Sequence, residues 1–427
     1  MKKKLLLLLC ACMLLGGCSD TGQAGDPGDQ PSSGTVRYED GGQTKVLGAA
    51  SDKEIIPVTL TDEYQKAAYF ADQVYEANRA NTLVSPLSLD VALGLAYEGA
   101  SGTTREELAK YLGNENYGDW VDQYMTFAKD LKANGASNGG YSFAYELANS
   151  LWVKKDSKLK KEYQSRVENL YRATAQNVDF VTDANKTADK INSWCDEKTH
   201  GMIKKMVSPE MFSDRLEAIL MNSVYFESPW VDEWSLVQHD FMNLKGEKET
   251  REMLRDCLGT YFENEYATAF AKRYYNGFEF IGILPKQEGE FSLSDLDIKS
   301  LLESRMHQYD VYAIAPKMEY ETTAGNVVDI LKAQGIHQAF DRDNGQFDGM
   351  VEGKELYISD ILQKCKIEMD EKGTRAAAVT AIFEAACDSV EDPVIRETKE
   401  VYLDRPFAYL IYDSRNGKIV FAGKVVE

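Results

Sequence analysis

The chain has 427 residues, of which 44% are apolar, 11% aromatic and 27% charged. This composition is typical of a globular protein with a large core, and it excludes a disordered, collagenous or coiled-coil chain. Lys and Arg number 48 against 69 Asp and Glu, and the net charge of −21 makes nucleic acid an unfavourable partner.

The N-terminus resembles the secretion signal of a bacterial lipoprotein. Three lysines precede the apolar run Leu5–Leu15, which is too short to span a bilayer, and Gly16-Gly17-Cys18 follows. In this lipobox-like ending Cys18 would carry the lipid, so residues 1–18 are predicted to be a signal peptide. Residues 19–50 are rich in glycine and are predicted to be a flexible tether. We therefore expect a domain on the outside of the cell envelope that meets the membrane only through its lipid.

Helical periodicity dominates the first half of the remaining chain, residues 54–427, which has no linker-like break and is predicted to be one domain. The first helix begins behind a Thr61/Asp62 cap. The predicted helices are Asp62–Asn78, Leu87–Glu98, Thr104–Leu112, Tyr117–Ala133, Lys160–Tyr171, Ala184–Thr199 and Ala324–Gln334.

The second half is rich in aromatic and β-branched residues with strand character. The predicted strands are Leu216–Phe226, Ala267–Tyr275, Phe278–Leu284, Val311–Ile314, Ile358–Met369, Tyr402–Tyr412 and Lys418–Val425. A turn at residues 413–417 makes the last two a hairpin. Helices early and strands late predict an α+β fold with large, mostly antiparallel sheets.

The stretch from Asp370 to Cys387 is open to two interpretations. Its alanines favour a surface helix capped by Thr374. At a period of two residues, one side from Thr374 to Ile382 carries only small or uncharged residues, and the single charge, Arg375, falls on the other side. A mobile segment that enters a core as a strand needs such a side, because an inward charge would carry a desolvation penalty.

This stretch resembles the proximal hinge of the serpins, the serine protease inhibitor fold. Four further stretches resemble the signatures of that family, in its order: Asn81–Ser88 with Gly99–Thr104, Ile191–Ile203, Leu220–Trp230, and Arg405–Gly423. The resemblance implies a metastable, monomeric protein that is not an enzyme. A protease attacks its exposed loop, forms an acyl-enzyme, and is held in a covalent complex when the cut loop inserts into the central sheet.

The family register implies a role for particular residues of the loop, predicted to span residues 371–401. The hinge would comprise Glu371, Lys372, Gly373, Thr374, Arg375, Ala376, Ala377 and Ala378. The reactive bond would be Cys387–Asp388. Pro406 lies nineteen positions after Cys387, which is long for the family, so cleavage after Ala385, Ala386, Arg396 or Lys399 stays open.

Two further groups are implied by the resemblance. Lys317 would pair with Glu371 near Trp230 and hold the hinge outside the sheet until cleavage. A polar cluster under the sheet would allow its strands to part, and its members are Ser85, Ser88, Asn222 and Gln363. The family usually has His at the position of Gln363; an amide can still donate and accept there, but it does not titrate.

Small residues before the reactive bond fit a shallow specificity pocket, so we expect an elastase-like or subtilisin-like serine protease as the partner. A papain-like cysteine protease is one alternative, and a non-inhibitory binding or carrier protein is another. The small hinge residues favour inhibition. The sequence has no GxSxG, no HExxH and four scattered histidines, so we expect no hydrolase activity, metal or cofactor.

Overall fold

The fold is described from a computed structural model, over residues 45–49, 54–113, 116–137, 143–353, 355–375 and 396–427. By its contacts the chain divides into Met1–Ser33, which lies outside these ranges, and Gly34–Glu427, to which all of them belong. Within these ranges no helix combines the length and apolar character needed to cross a membrane.

Seven helices begin close to where the sequence predicts them, and one short helix, Ile298–Glu303, was not predicted. Helices α1 to α8 span Glu63–Asn78, Pro86–Gly99, Gly102–Leu112, Tyr117–Ser137, Lys161–Tyr171, Ala184–Lys198, Ile298–Glu303 and Val327–Ala333. The predicted cap of α1 is present, because the Asp62 carboxylate accepts from the Gln65 N–H at 2.9 Å. Helix α2 begins with Ser85 as its cap and Pro86 in the first turn, where the missing N–H of proline costs nothing.

Strands occur throughout the described chain. Strands β1 to β16 span Thr82–Val84, Ala144–Lys154, Thr174–Val178, Ala218–Pro229, Ser235–Met242, Lys248–Leu258, Tyr261–Glu263, Ala267–Arg273, Phe278–Pro285, Tyr309–Pro316, Met318–Ala324, Asp360–Met369, Gly373–Thr374, Glu397–Tyr402, Phe407–Asp413 and Lys418–Val425. The predicted strand Tyr402–Tyr412 is wrong as one element. Its residues are divided between β14 and β15, which belong to different sheets. Pro406 lies between these two strands, and it has no N–H to donate to a strand ladder.

Three sheets organise these strands. The central sheet has the order β11-β12-β13-β4-β2-β3, the C-terminal sheet β1-β16-β15-β9-β8-β7, and the small sheet β14-β10-β6-β5. Most neighbours are antiparallel, and the parallel pairs are β12 with β4, β2 with β3, and β10 with β14. The predicted α+β class is confirmed, and the predicted hairpin is formed by β15 and β16.

Helix α2 lies in the core and contacts both the central sheet and the C-terminal sheet. It is buried along most of its length because its residues are apolar on nearly every side. Helix α6 covers the opposite face of the central sheet, where Ile191 and Cys195 join a second core with Ile219 and Leu362. The central sheet is therefore covered on both faces, and a strand added to it would become buried.

Candidate functional site

Two residues near the start of the hinge lie inside the central sheet. Gly373 and Thr374 form β13, which is inserted between β12 and β4: Thr374 faces Met369 on one side and Ser228 on the other. This differs from the expectation that the hinge stays outside the sheet. The reason is that backbone pairing is available on both sides, and Gly373 and Thr374 are both buried.

Below the hinge, β12 and β4 pair directly with each other. This direct pairing, which we call the seam, runs from Asp360–Ile219 to Lys364–Ser223. Among the described residues, Val224–Phe226 of β4 have no strand partner on the side of β12. A chain continuing from Thr374 between the two strands would meet this stretch first and the seam next.

Aromatic side chains hold the inserted end of the hinge. The Trp230 N–H donates to the Lys372 carbonyl, and its indole Nε1–H donates to the Asp370 carbonyl, both at 2.9 Å. The Tyr274 hydroxyl lies 2.5 Å from the Thr374 hydroxyl, and the Tyr274 ring stacks on Trp230 with 4.0 Å between centroids. Burial raises the pKa of Tyr274, so its hydroxyl stays protonated.

Lys317 contacts Glu371, as the family register implies, but it is shared. Its Nζ lies 3.0 Å from the Glu371 carboxylate and 2.7 Å from that of Glu252. The pKa of Lys317 is raised, chiefly by Glu252 and then by Glu371. The pKa of Glu371 is lowered, chiefly by its own backbone N–H and then by Lys317. The Lys317 and Glu371 side chains are 34% and 26% exposed and that of Glu252 is 47% exposed, so solvent screens both contacts and each contributes about 1 kcal/mol or less.

Arg375 lies on the other side of the sheet from Thr374, as the alternation predicts. Its guanidinium donates to the His200 carbonyl at 3.1 Å, just beyond the end of α6, and lies 5.2 Å from the centre of the Tyr225 ring. Its backbone N–H donates to Glu368 in β12 at 2.6 Å, and its φ is +38°. The guanidinium thus lies on the face of the sheet opposite to Tyr274, partly buried against Tyr225, while the backbone of Arg375 is already paired to β12.

The polar cluster lies beside the seam. The Gln363 side chain accepts from the Ser85 N–H at 2.8 Å and donates to the Ser85 carbonyl at 2.9 Å and to the Asn222 side-chain oxygen at 2.6 Å. Ser85 also donates its hydroxyl to the Val420 carbonyl at 2.7 Å. Ser88 is buried, and its hydroxyl has no partner among the described residues. Gln363 therefore links both strands of the seam to the start of α2.

Sequence reasoning missed three contributors to this region. Asn149 of β2 lies opposite Asn222, which itself lies opposite Gln363, so the three form a polar row across the sheet. Strand β2 was not predicted, because it is buried on both faces and shows no alternation. The Trp234 backbone N–H donates to the Glu371 carbonyl at 2.9 Å. No local sequence pattern indicates that Tyr274 or Trp234 contacts the hinge.

The end of the loop differs from the expected residue 401. Strand β14 begins at Glu397 and pairs in parallel with β10, with Lys399 opposite Val311. Part of the unusually long segment between Cys387 and Pro406 is therefore strand β14 and not exposed loop. The remaining predicted residues lie outside the described ranges: Cys18, Ala376–Ala378, Ala385, Ala386, Cys387 and Asp388.

Residues Lys45–Ala49, which the sequence assigns to the tether, lie against the domain and are called here the N-terminal strap. Lys45 Nζ contacts the Asp360 carboxylate at 2.6 Å, and the Leu47 N–H donates to the Met211 carbonyl at 2.6 Å. Leu47 is fully buried in the core beneath α6. The strap therefore binds at Asp360, where the seam begins.

Thiols and acidic groups do not build a separate centre in the described part of the chain. Cys195, Cys257 and Cys365 are free there, and no three His, Cys, Asp or Glu side chains come together as metal ligands. Burial raises the pKa of Cys195 to about 12, so this thiol is protonated and unreactive.

A central sheet with a two-residue strand inserted at one end, between β12 and β4, is the arrangement that these contacts define. Residues 65–427 match the family model described as serpin, serine protease inhibitor, and the chain belongs to this family. The typical function of serpins is inhibition of serine proteases rather than catalysis.

Relatives are found in archaea and among solved structures. An uncharacterised serpin-like protein of Thermococcus kodakarensis is 29% identical over 100% of this chain and 99% of its own length. Another, of Methanosarcina acetivorans, is 30% identical over 83% of both chains. The native-state crystal structure of tengpin, a thermophilic serpin, has a TM-score of 0.72 at 26% identity, over 88% of this chain and 97% of tengpin.

Proposed function

We propose that this chain is a suicide-substrate inhibitor of elastase-like or subtilisin-like serine proteases. The observation that carries the proposal is the position of Gly373 and Thr374 between β12 and β4. A loop already paired at the open end of a sheet can continue inward after cleavage, since Thr374 presents an uncharged side chain to the core. An inward charge at this place would have favoured a carrier that no longer inhibits.

The bait bond in this proposal is Cys387–Asp388. Of the basic alternatives, Lys399 lies within β14, whose pairing with β10 would have to open before a protease could bind this backbone as an extended substrate. Arg396 immediately precedes that strand. Cleavage after Cys387 would free the residues that follow Thr374, as far as Ala385, for insertion. Together with Thr374 they would form a strand of about 40 Å.

Insertion has a cost and a gain. The five register pairs of the seam must separate, and Gln363 must give up its bond to Asn222. A new strand of about twelve residues would add about ten ladder hydrogen bonds at about 1 kcal/mol each, together with buried side chains. The gain exceeds the cost, so the uncleaved protein is metastable.

Incubation with a panel of active-site-titrated proteases tests this function. Pancreatic elastase, subtilisin, trypsin and papain are compared on SDS gels and by intact mass. We expect a covalent band with elastase or subtilisin, and a released C-terminal peptide that begins at Asp388. The cut, relaxed inhibitor should also melt well above the native protein.

The other outcomes are equally informative. A covalent band with papain alone would replace the serine protease by a cysteine protease. Cleavage without a covalent band by every protease, and with no rise in melting temperature, would refute inhibition and favour a carrier role. A released peptide that begins one or two residues before or after Asp388 would move the reactive bond to that position without changing the mechanism.

We also propose that the protein is anchored to a bacterial envelope through lipid on Cys18, with the domain facing outward. The support is the lysine-rich start, the short apolar run and the Gly16-Gly17-Cys18 ending. In a bacterial host that processes lipoproteins, the wild type should partition into the detergent phase, whereas Cys18→Ala should lose lipid. Equal partitioning of both forms would refute the anchor.

A further inference from the structure

A cavity lies where α1 and the start of α2 meet the end of α3, the start of α4 and the start of β16. We call it the helical cavity. Its volume is about 190 Å³, which is below the range of pockets that hold drug-sized ligands. Helix α1 lines it with Glu63, Lys66 and Phe70, whose spacing of three and four positions places them on one face of the helix. An occupant of this cavity has to be small.

Two opposite charges face the helical cavity without an ionic partner. They are Lys66 of α1 and Asp90 of α2, and neither forms an ion pair with another residue of the described chain. Lys66 Nζ donates to the Tyr111 carbonyl at 2.5 Å and lies 4.3 Å from the centre of the Tyr111 ring. Since an ammonium group has three N–H donors, Lys66 keeps donors for a ligand.

Asp90 is the acceptor side of the same cavity. Its carboxylate accepts from the Tyr111 hydroxyl, and Lys66 and Lys418 attract it without donating to it. Burial raises the pKa of Asp90 to about 6, so the attraction by these cations does not offset the loss of water. A carboxylate has two acceptor oxygens, and the Tyr111 hydroxyl occupies part of this capacity. Asp90 is therefore the place where an ammonium group gains most from contact.

The charges around the cavity are balanced. The other charged lining residues, Glu63 and Lys418, pair with each other at 2.5 Å. Lys66 and Asp90 are opposite and equal in number, so the four groups sum to zero when Asp90 is ionised. An occupant with a net charge would disturb this balance, whereas a neutral molecule with one positive and one negative group would complement it.

We propose that the helical cavity binds a small zwitterion, a free α-amino acid with an apolar side chain. Its ammonium group contacts Asp90, and its carboxylate accepts from Lys66. The side chain lies against Phe70, Leu89 and Trp120, which line the cavity. A peptide is a poorer occupant, because its terminal ammonium and carboxylate belong to different residues and cannot both enter so small a space.

L-Leucine is the probe for calorimetric titration of the uncleaved protein at pH 8, where Asp90 is ionised. We expect saturable binding of one molecule per chain and a rise in the melting temperature of the native protein. Two analogues keep the side chain and lose one charge each: 3-methylbutylamine has no carboxylate, and 4-methylpentanoate has no ammonium group. Each should bind at least about tenfold more weakly than L-leucine. Equal binding of either analogue, or no binding of L-leucine, would overturn the proposal.

A charge-matched pair of variants locates the binding. Lys66→Gln with Asp90→Asn should weaken the binding of L-leucine by about tenfold or more. Glu106→Gln with Lys110→Gln also removes one charge of each sign, at exposed positions of α3 that do not line the cavity, and it should bind as the wild type does. Equal affinity of the two double variants would place the ligand elsewhere and refute this site.

Thermal unfolding without ligand shows whether both double variants are folded. If the cavity variant is not, the comparison of L-leucine with its two analogues on the wild type still decides the proposal. The titration uses no protease, so its result is independent of the proposed inhibition.

Discussion

Replacement of Thr374 by arginine tests the loop-insertion mechanism most directly. Thr374 is 2% exposed, and its hydroxyl bonds to the buried Tyr274. Thr374→Arg removes this bond, at about 1 kcal/mol, and places a charge at a buried position, at a cost of several kcal/mol. The charge therefore expels the hinge from the sheet in the uncleaved variant, and the cut loop has to bury the charge in order to insert. A penalty of about 3 kcal/mol on this step slows insertion by more than about 100-fold. The acyl-enzyme then hydrolyses first, and the variant becomes a substrate.

The assay is the stoichiometry of inhibition, the moles of inhibitor consumed per mole of protease inactivated. It should rise from near one for the wild type to more than about ten for Thr374→Arg, with cut protein replacing the covalent band. Thr374→Val is the matched control, because it keeps the shape and loses only the hydroxyl; it should still trap the protease. Normal stoichiometry for Thr374→Arg would refute the inward orientation of this residue during insertion.

Three further predictions concern stability in urea. Leu47→Ala should lower the free energy of unfolding by about 2 kcal/mol, because Leu47 is fully buried. The control Val46→Ala, at a half-exposed position, should lower it by less than about 0.5 kcal/mol. Equal effects of the two substitutions would show that the strap does not dock on the domain. Gln363→Ala leaves the Ser85 N–H and the Asn222 side-chain oxygen without their partner and should cost about 3 kcal/mol. An unchanged urea midpoint would contradict this role. Burial raises the pKa of Asp90 to about 6. Between about pH 4 and pH 6 the folded state therefore keeps a proton that the unfolded state has lost. The free energy of unfolding should fall as the pH rises through this range. Asp90→Asn should therefore be about 2 kcal/mol more stable than wild type at pH 8 and nearly equal at pH 4, whereas a gap independent of pH would contradict the assignment.

Local signals predicted most of the helices. Helix α1 shows a cap and an apolar repeat, and both are properties of adjacent residues. Strand β2 shows neither, because it is buried on both faces, and its absence from the prediction hid Asn149. The helix predicted from Ala324 begins at Val327, since Ala324 is the last residue of β11.

The sequence by itself determined the family, the α+β class and the alternation that directs Thr374 inward and Arg375 outward. These follow from motifs and from a two-residue period, which need no knowledge of distant partners. Only the tertiary structure decided how far the hinge enters the sheet, that Lys317 is shared between Glu252 and Glu371, and that the strap docks. Lys45 and Asp360 are 315 positions apart in the sequence, and contacts of this kind depend on the packing of whole sheets, which no local pattern records.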